Sequence, residues 1–325
     1  MENKRLSIII PFYNVEQYIA ECLDSMFQQD IPEEEYEVIC VNDGSPDHSR
    51  DIVLEYQKRH ANLVLVEHEV NKKLGAARNS GRAVAKGDYI WNVDSDDKIV
   101  PNCLGKLLRI CEENDLDVLE FGTTRFRDMG EEDMGHVRLT ESVLPGLDYM
   151  EQLESYELSR MCVVWRRVIR RTFLDENHIF SPEINMGEDV PYSFRALMLA
   201  RRMMVIPDRC YCYRANPQSL TGKQWRPMPH SLYEKCFLNS RLIYDVAYEV
   251  PEKYVNVRNS YADAARYTLC RYSGYVTQMP IKEQKAFRSL CRKAFWKNGF
   301  VKALLPMKRY VSYLLWLSGL KTLPE

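Results

Sequence analysis

From Leu6 to Gly122 short apolar runs alternate with stretches whose apolar residues recur every three or four positions. The runs LSIII, EVICV, LVLVE, DYIWNV and DVLEF read as strands. The segments between them, VEQYIAECLDSMFQ, DIVLEYQKR, GAARNSGRAVAK and LGKLLRICEEN, read as helices. That rhythm predicts βαβ units, and so an α/β fold with a mostly parallel sheet flanked by helices. In the first helix Val15, Ile19, Cys22, Leu23 and Met26 form one buried stripe behind Asn14 as candidate N-cap. Ser45-Pro46 suits the start of the second helix, with the serine as cap and the proline at N1. Gly87 suits the residue just past the end of the third. Three polar clusters then fall at the C-terminal ends of strands: Pro11 to Glu16, Asn42 to Ser45, and Asp94 to Asp97. In open parallel sheets that edge is where ligands bind.

Beyond Gly122 the pattern changes. Thr123 to Pro145 is polar and irregular, a linker, a hairpin or a surface excursion. VVWRRVIRRTFL, INMGEDVPYSFRALMLA and VIPDRCYCYRANPQSLT resemble a helix flanked by strand and loop segments that complete the first domain. After Pro229 the chain reads as helical throughout. The expected division is an α/β domain over 1–224 and a helical C-terminal region over 225–325.

Composition narrows the classes. With 44 Lys+Arg against 46 Asp+Glu and 46% hydrophobic residues over 325 positions, the chain is neither disordered nor fibrous. A formal charge of -2 argues against wholesale nucleic-acid binding. The charge is nevertheless polarised: residues 282–325 hold ten Lys and Arg against two acids, a surplus of +8 that leaves -10 on the rest. Ten cysteines lie scattered in apolar segments without a C-x-x-C pair, which reads as reduced core thiols. Cys210 and Cys212 are too sparse for a zinc site. The SIII run before Pro11 is too short for a signal segment, and Tyr310 to Leu320 is about half of the roughly 20 residues a bilayer span needs. The expected location is the cytoplasm, with at most a peripheral seat on a membrane.

Candidate chemistry concentrates at the strand ends. VDSDD follows the apolar strand YIWNV. Carboxylates there can reach a divalent cation that already carries phosphate oxygens, since Mg2+ and Mn2+ take oxygen ligands and keep open positions. The bland alternative is a solvated acidic turn capping the next helix. Asp43 in VNDGS can accept the N–H of a pyrimidine base, or simply start an Asp-Gly turn. In NKKLGAARNSG, Gly75 permits close backbone approach, Ala76 and Ala77 permit tight packing, and Arg78 can meet a phosphate or sugar oxygen in fork geometry. Otherwise it is a packed helix with one surface arginine.

Taken in this order, SIIIPFYNVEQYI, VNDGSPD, GAARNSG and DSDD resemble the family 2 glycosyltransferases, inverting enzymes with a GT-A, Rossmann-like fold. The likeness is strong from Leu6 to Cys111 and looser to about Thr221. It implies that Pro11, Tyr13, Glu16 and Asp43 hold the nucleoside of a nucleotide-sugar, usually uridine. Arg78, Asp94 and Ser95 would contact the rest of the donor, and Asp96, with Asp94, would hold Mg2+ or Mn2+. The family often has aspartate where this chain has Asn42, and Asp43 is the position carried over. MGEDVPYSF looks like the family's E-D motif, which makes Asp189 the general base and Glu188 its support. The helix-dipole role of two acids at a helix start is the competing explanation. Trp165 is a candidate platform for the acceptor sugar, and Tyr211, Tyr213 and Arg214 are candidates to close over the diphosphate.

The implied activity is inverting transfer of a sugar from a nucleotide-sugar, UDP-linked in the first instance, to an acceptor hydroxyl in polysaccharide or glycolipid assembly. The alternative is a non-catalytic nucleotide-sugar-binding assembly partner. Lys282 onward reads as an amphipathic helix, with Phe287, Leu290, Cys291, Ala294 and Phe295 expected on one face, suited to an anionic membrane surface and a lipid-linked acceptor or to packing on the domain. A sugar nucleotidylyltransferase would need a glycine-rich loop after the first strand, and a dinucleotide dehydrogenase a G-x-G-x-x-G. PFYNVEQY supplies neither.

Overall fold

The computed structural model describes residues 4–127, 130–133, 139–140, 142–153, 163–184 and 187–216, and, toward the C-terminus, 239, 242–243, 245–247, 249–262 and 264–265. The basic segment 282–325 lies outside these residues. So do 217–238.

Seven consecutive residues of β1 (Leu6–Phe12) are buried, as are all seven of β2 (Tyr36–Asn42). Continuous burial means both faces of the strand are covered, the usual condition of a central parallel strand. β1 pairs in parallel with β2 on one side and β4 (Tyr89–Asn92) on the other, and β3 (Leu63–Glu67) adds beyond β2. α1 (Ile19–Met26), α2 (Ser49–Gln57) and α3 (Leu74–Val84) link these strands. Past β4 the sheet becomes mixed. β5 (Lys98–Ile99), α4 (Leu104–Glu113), β6 (Val118–Arg127), β7 (Gly130–Asp133) and α5 (Gly146–Glu151) come next in the chain. They are followed by β8 (Arg167–Arg170), α6 (Arg171–Glu176), α7 (Asp189–Leu199) and β9 (Met203–Arg214). The spatial order is β3-β2-β1-β4-β8-β6-β9-β5, with β7 hydrogen-bonded to β6. β8 runs antiparallel between β4 and β6, and β9 is parallel to β6. Of the readings open for Thr123 to Pro145, the structure shows a hairpin at its start, where β6 runs on to Arg127 and returns as β7.

Alternation assigns the two faces. Ile9, Ile39, Val41 and Ile90 point to one core, shared with α5, α6, α7 and the helical residues between 239 and 265. Ile8, Ile10, Val38, Cys40 and Trp91 point to the other, under α1, α2 and α4. Phe194 and Tyr261 stack at 3.8 Å in the first core, so the described helical residues share it with α7. Cys22, Cys40, Cys103, Cys111, Cys210 and Cys212 are free and buried. No helix among the described residues is long and apolar enough to cross a membrane.

Helix ends depart from the sequence reading. The stripe Ile19, Cys22, Leu23 and Met26 is buried, yet α1 begins at Ile19, and Asn14 sits in a loop at φ +56° instead of capping. Ser45 does not start α2. The helix opens at Ser49, whose N–H is taken by Asp47 Oδ1 at 3.2 Å. Gly87 is no helix terminator either: a Cβ there would lie 2.4 Å from the backbone nitrogen of Ser7, so its role is close approach to β1.

Candidate active site

The loops that follow β1 and β2 are laced together at the carboxyl edge of the sheet. Asp43 N–H donates to Phe12 O at 3.0 Å and Glu16 N–H to Asp47 Oδ2 at 2.9 Å, while Glu16 Oε2 accepts His48 N–H at 3.0 Å. Pro11 is buried in β1, whereas Tyr13 stands 48% exposed at the rim. Asp43 is buried beneath, and its carboxylate is already working: Oδ1 accepts Lys72 N–H at 2.8 Å and meets His68 Nδ1 at 2.7 Å, and Oδ2 accepts Lys73 N–H at 2.8 Å. An ionised carboxylate has about four acceptor sites, so one remains for a ligand. His68 Nε2 is in turn held by Ser80 Oγ at 2.9 Å. The sequence pattern did not point to His68, although its place at the end of β3, on the same edge, was a usable signal.

Those two amides hold the backbone in an unusual state. Lys73 has φ 80° and ψ 164°, a region that glycine occupies freely and a side chain does not. Such strain costs about 1–3 kcal/mol, against roughly 0.5–1 kcal/mol of extra unfolded-state entropy for glycine. Lys73→Gly is therefore expected to stabilise the protein by about 1 kcal/mol, read from denaturant midpoints. A loss of stability would show that the lysine is not strained there.

The acidic strand end follows β4. Asp94 and Asp96 are partly exposed, while Ser95 and Asp97 are buried at 8% and 1%. Burial pushes the Asp94 carboxyl up to about 6, helped by the neighbouring Asp189 and Asp96 carboxylates and opposed by Arg78. Burial, then the Asp96 and Asp94 carboxylates, drives Asp97 well above the usual carboxylate range. Crowded carboxylates that raise one another mark a place where positive charge is favoured. Among the described residues no three side chains of the metal-binding types form a ready-made cage. Mg2+ and Mn2+ sites that share phosphate oxygens need only one or two protein carboxylates, so Asp94 and Asp96 fit such an ion.

Arg78 joins this cluster to a second pair of acids. α3 lies close to the 180s loop because a Cβ at Gly75 would fall 2.1 Å from the carbonyl oxygen of Pro182. Arg78, 2% exposed, donates NH2 to Asp94 Oδ1 at 2.9 Å, and NH1 both to Glu188 Oε1 at 2.9 Å and to Asp189 Oδ1 at 2.5 Å. It is thus buried among carboxylates instead of lying on the surface. Arg82, one turn on, shares the buried side of α3 and pairs with Asp175. Two arginines four apart in a helix of small residues were the signal for that. Glu188 and Asp189 open α7. The Glu188 side chain is only 7% exposed and that of Asp189 is 25% exposed. Burial, with Asp189 alongside, raises the Glu188 carboxyl to about 8. Asp189 is the reachable acid of the two.

The aromatic candidates are internal. Trp165 is 5% exposed and stacks on Tyr211 at 4.5 Å and on Tyr213 at 5.5 Å, so it is not a sugar platform. Tyr211 is fully buried and cannot close over a ligand. Arg214 turns inward, its guanidinium Nε donating to Asp96 O at 2.7 Å.

The family model described as glycosyl transferase family 2 matches residues 7–177, more than half the chain, and the chain belongs to that family. It is 35% identical over 224 residues to the glycosyltransferase EpsJ of Bacillus subtilis, an alignment covering 68% of this chain and 64% of EpsJ. It is 34% identical over 212 residues to the poly(ribitol-phosphate) beta-glucosyltransferase of Bacillus spizizenii, covering 64% of this chain but 32% of that protein. The chain thus matches less than two thirds of either relative. In fold it is similar to TarS 1–349 of S. aureus crystallised with UDP-GlcNAc, with a TM-score of 0.70 and 23% identity over 97% of this chain and 87% of that one. The architecture is that of the GT-A glycosyltransferases.

Proposed function

We propose that this protein is an inverting, metal-assisted transferase that moves a hexosyl unit from a UDP-sugar to an acceptor hydroxyl during polysaccharide or glycolipid assembly. The observation that carries the reading is the Arg78 bridge, which ties the acid at the end of β4 to the acids that open α7. The similarity to a fold solved with UDP-GlcNAc supports the choice of donor.

Pro11, Tyr13, Glu16 and the spare acceptor site of Asp43 form the nucleoside end, with Ser95 and Arg78 lining the path toward the sugar. Asp94 and Asp96 would hold Mg2+ or Mn2+, which when bound supplies positive charge to the departing diphosphate. Asp189 takes the proton of the acceptor hydroxyl. That oxygen forms its bond to the anomeric carbon while the bond to the diphosphate breaks on the opposite face, which inverts the centre. Glu188, buried and raised, steadies Arg78 and leaves proton transfer to its neighbour. The acceptor is a growing glycan or a lipid-linked sugar, with residues 282–325 meeting an anionic surface.

Thermal unfolding with a panel of nucleoside diphosphates and their sugars, each with Mn2+ or with chelator, tests this. A ligand at 100 times its Kd stabilises the folded state by about 2.7 kcal/mol. UDP and one UDP-sugar are expected to raise Tm, and more so with Mn2+. That sugar should then be transferred to acceptors presented in anionic vesicles. Failure of every uridine nucleotide to shift Tm in either condition ends the reading.

A further inference from the structure

β9 and the residues just after it hold the acidic turn by hydrogen bonds to Asp94, Asp96 and Asp97. Tyr211 is at the centre. Its phenol oxygen accepts Asp94 N–H at 3.1 Å and donates to Asp97 Oδ2 at 2.6 Å, so one hydroxyl joins the first residue of the turn to the last. A phenol is the one large apolar side chain that can serve as donor and acceptor at once. Arg214 adds its backbone N–H to Asp97 Oδ1 at 2.7 Å and its Nε to Asp96 O, and Asn216 Nδ2 reaches Asp96 Oδ2 at 3.0 Å.

The ring of Tyr211 is itself fixed by the scaffold. It lies parallel to Trp165, with 11° between the planes. The carbonyl of Trp165 accepts Trp91 Nε1–H at 2.8 Å, and Trp91 belongs to β4, the strand that delivers Asp94. β5, which leaves the turn, pairs with β9 at Ile99 and Tyr211. The hydroxyl is thus placed by strands on both sides of the turn and not by the turn's own flexibility. A tyrosine that merely filled a core would need one polar partner.

We infer that Tyr211 is a positioning residue that presets the spacing of Asp94 and Asp96 for a divalent cation, an inference that rests on the cation reading above. A turn held before the ion arrives spares the ordering that binding otherwise requires, and partners behind ligating carboxylates typically account for 10–100-fold in metal affinity.

The test uses the full chain, with Mn2+ titrated calorimetrically in the presence of UDP and UDP titrated separately in chelator. Tyr211→Phe is expected to weaken Mn2+ binding roughly 10-fold or more while UDP affinity in chelator stays within about twofold. Arg214→Gln, which removes the guanidinium bond to Asp96 O and keeps the aromatic stack, is expected to weaken Mn2+ by a smaller factor in the same direction. It carries the comparison alone if the phenylalanine variant does not fold. Equal Mn2+ affinity in wild type and variants overturns the inference and leaves the cation reading intact. A parallel drop of UDP affinity in chelator also overturns it, since that marks a general packing role. Wild type that binds UDP identically with and without Mn2+ ends the cation reading and the inference with it.

Discussion

Asp189→Asn is expected to lower turnover by about 10²–10⁴-fold while UDP binding stays near wild type. Asparagine keeps an oxygen to accept the Arg78 NH1 bond, now 2.5 Å long, so the bridge and the helix start survive. What is lost is the ability to take a proton. Rate should therefore fall in kcat, with KM for the donor little changed. The competing role is charge complementing the N-terminus of α7, worth about 0.3–1 kcal/mol. That role predicts a small loss of stability and no loss of turnover. Steady-state kinetics beside a melting curve separate the two, and an active variant with a slightly lowered Tm removes Asp189 from the chemistry.

Arg78→Ala carries the largest expected effect on stability. The guanidinium is buried and contacts Asp94, Glu188 and Asp189, and removing one side of a buried ionic cluster leaves carboxylates without compensation. The cost is about 3–5 kcal/mol, which for a chain of this size lowers Tm by roughly 10 °C. Arg78→Lys should recover only part of it, because one ammonium cannot span three carboxylates in fork geometry. The deficit should also depend on pH. In the wild type burial already holds Glu188 at about 8 and Asp94 at about 6, above their unfolded values. Without Arg78 both rise further, so the folded state binds more protons than the unfolded chain across that range. Stability then increases as pH falls, and the gap between variant and wild type narrows from pH 8 toward pH 5. Denaturant unfolding at several pH values reads this directly. A variant as stable as wild type at pH 8 would show that the bridge does not hold the site together.

How much of the site could be read in advance depended on the range of the forces involved. The Ile19, Cys22, Leu23 and Met26 stripe and the buried runs of β1 and β2 follow from burial periodicity, which is written locally. The three polar clusters at strand ends were legible for the same reason, since each directly follows its run. Helix starts were not: Asn14 and Ser45 have the chemistry of caps, but the lacing of the β1 and β2 loops recruits them and leaves Asp47 to serve Ser49. Local propensity is worth about 1 kcal/mol at a cap, and a network of loop hydrogen bonds outweighs it.

The sequence by itself determined the alternating α/β layout and the family, and it offered Asp43, Arg78, Asp94, Asp96, Glu188 and Asp189 as the candidate residues of the proposed site. Only the tertiary structure decided what those groups do to one another. Insertion of β8 between β4 and β6 puts Trp165 against Tyr211 inside the protein, not against a sugar. Close packing of α3 on the 180s loop turns Arg78 from a surface contact into a buried bridge among acids that lie 16, 110 and 111 positions from it in the chain. Periodicity reports which side of its own element a residue occupies. The partner it meets there is set by strand order and by how closely neighbouring backbones approach, and both depend on the folded chain as a whole.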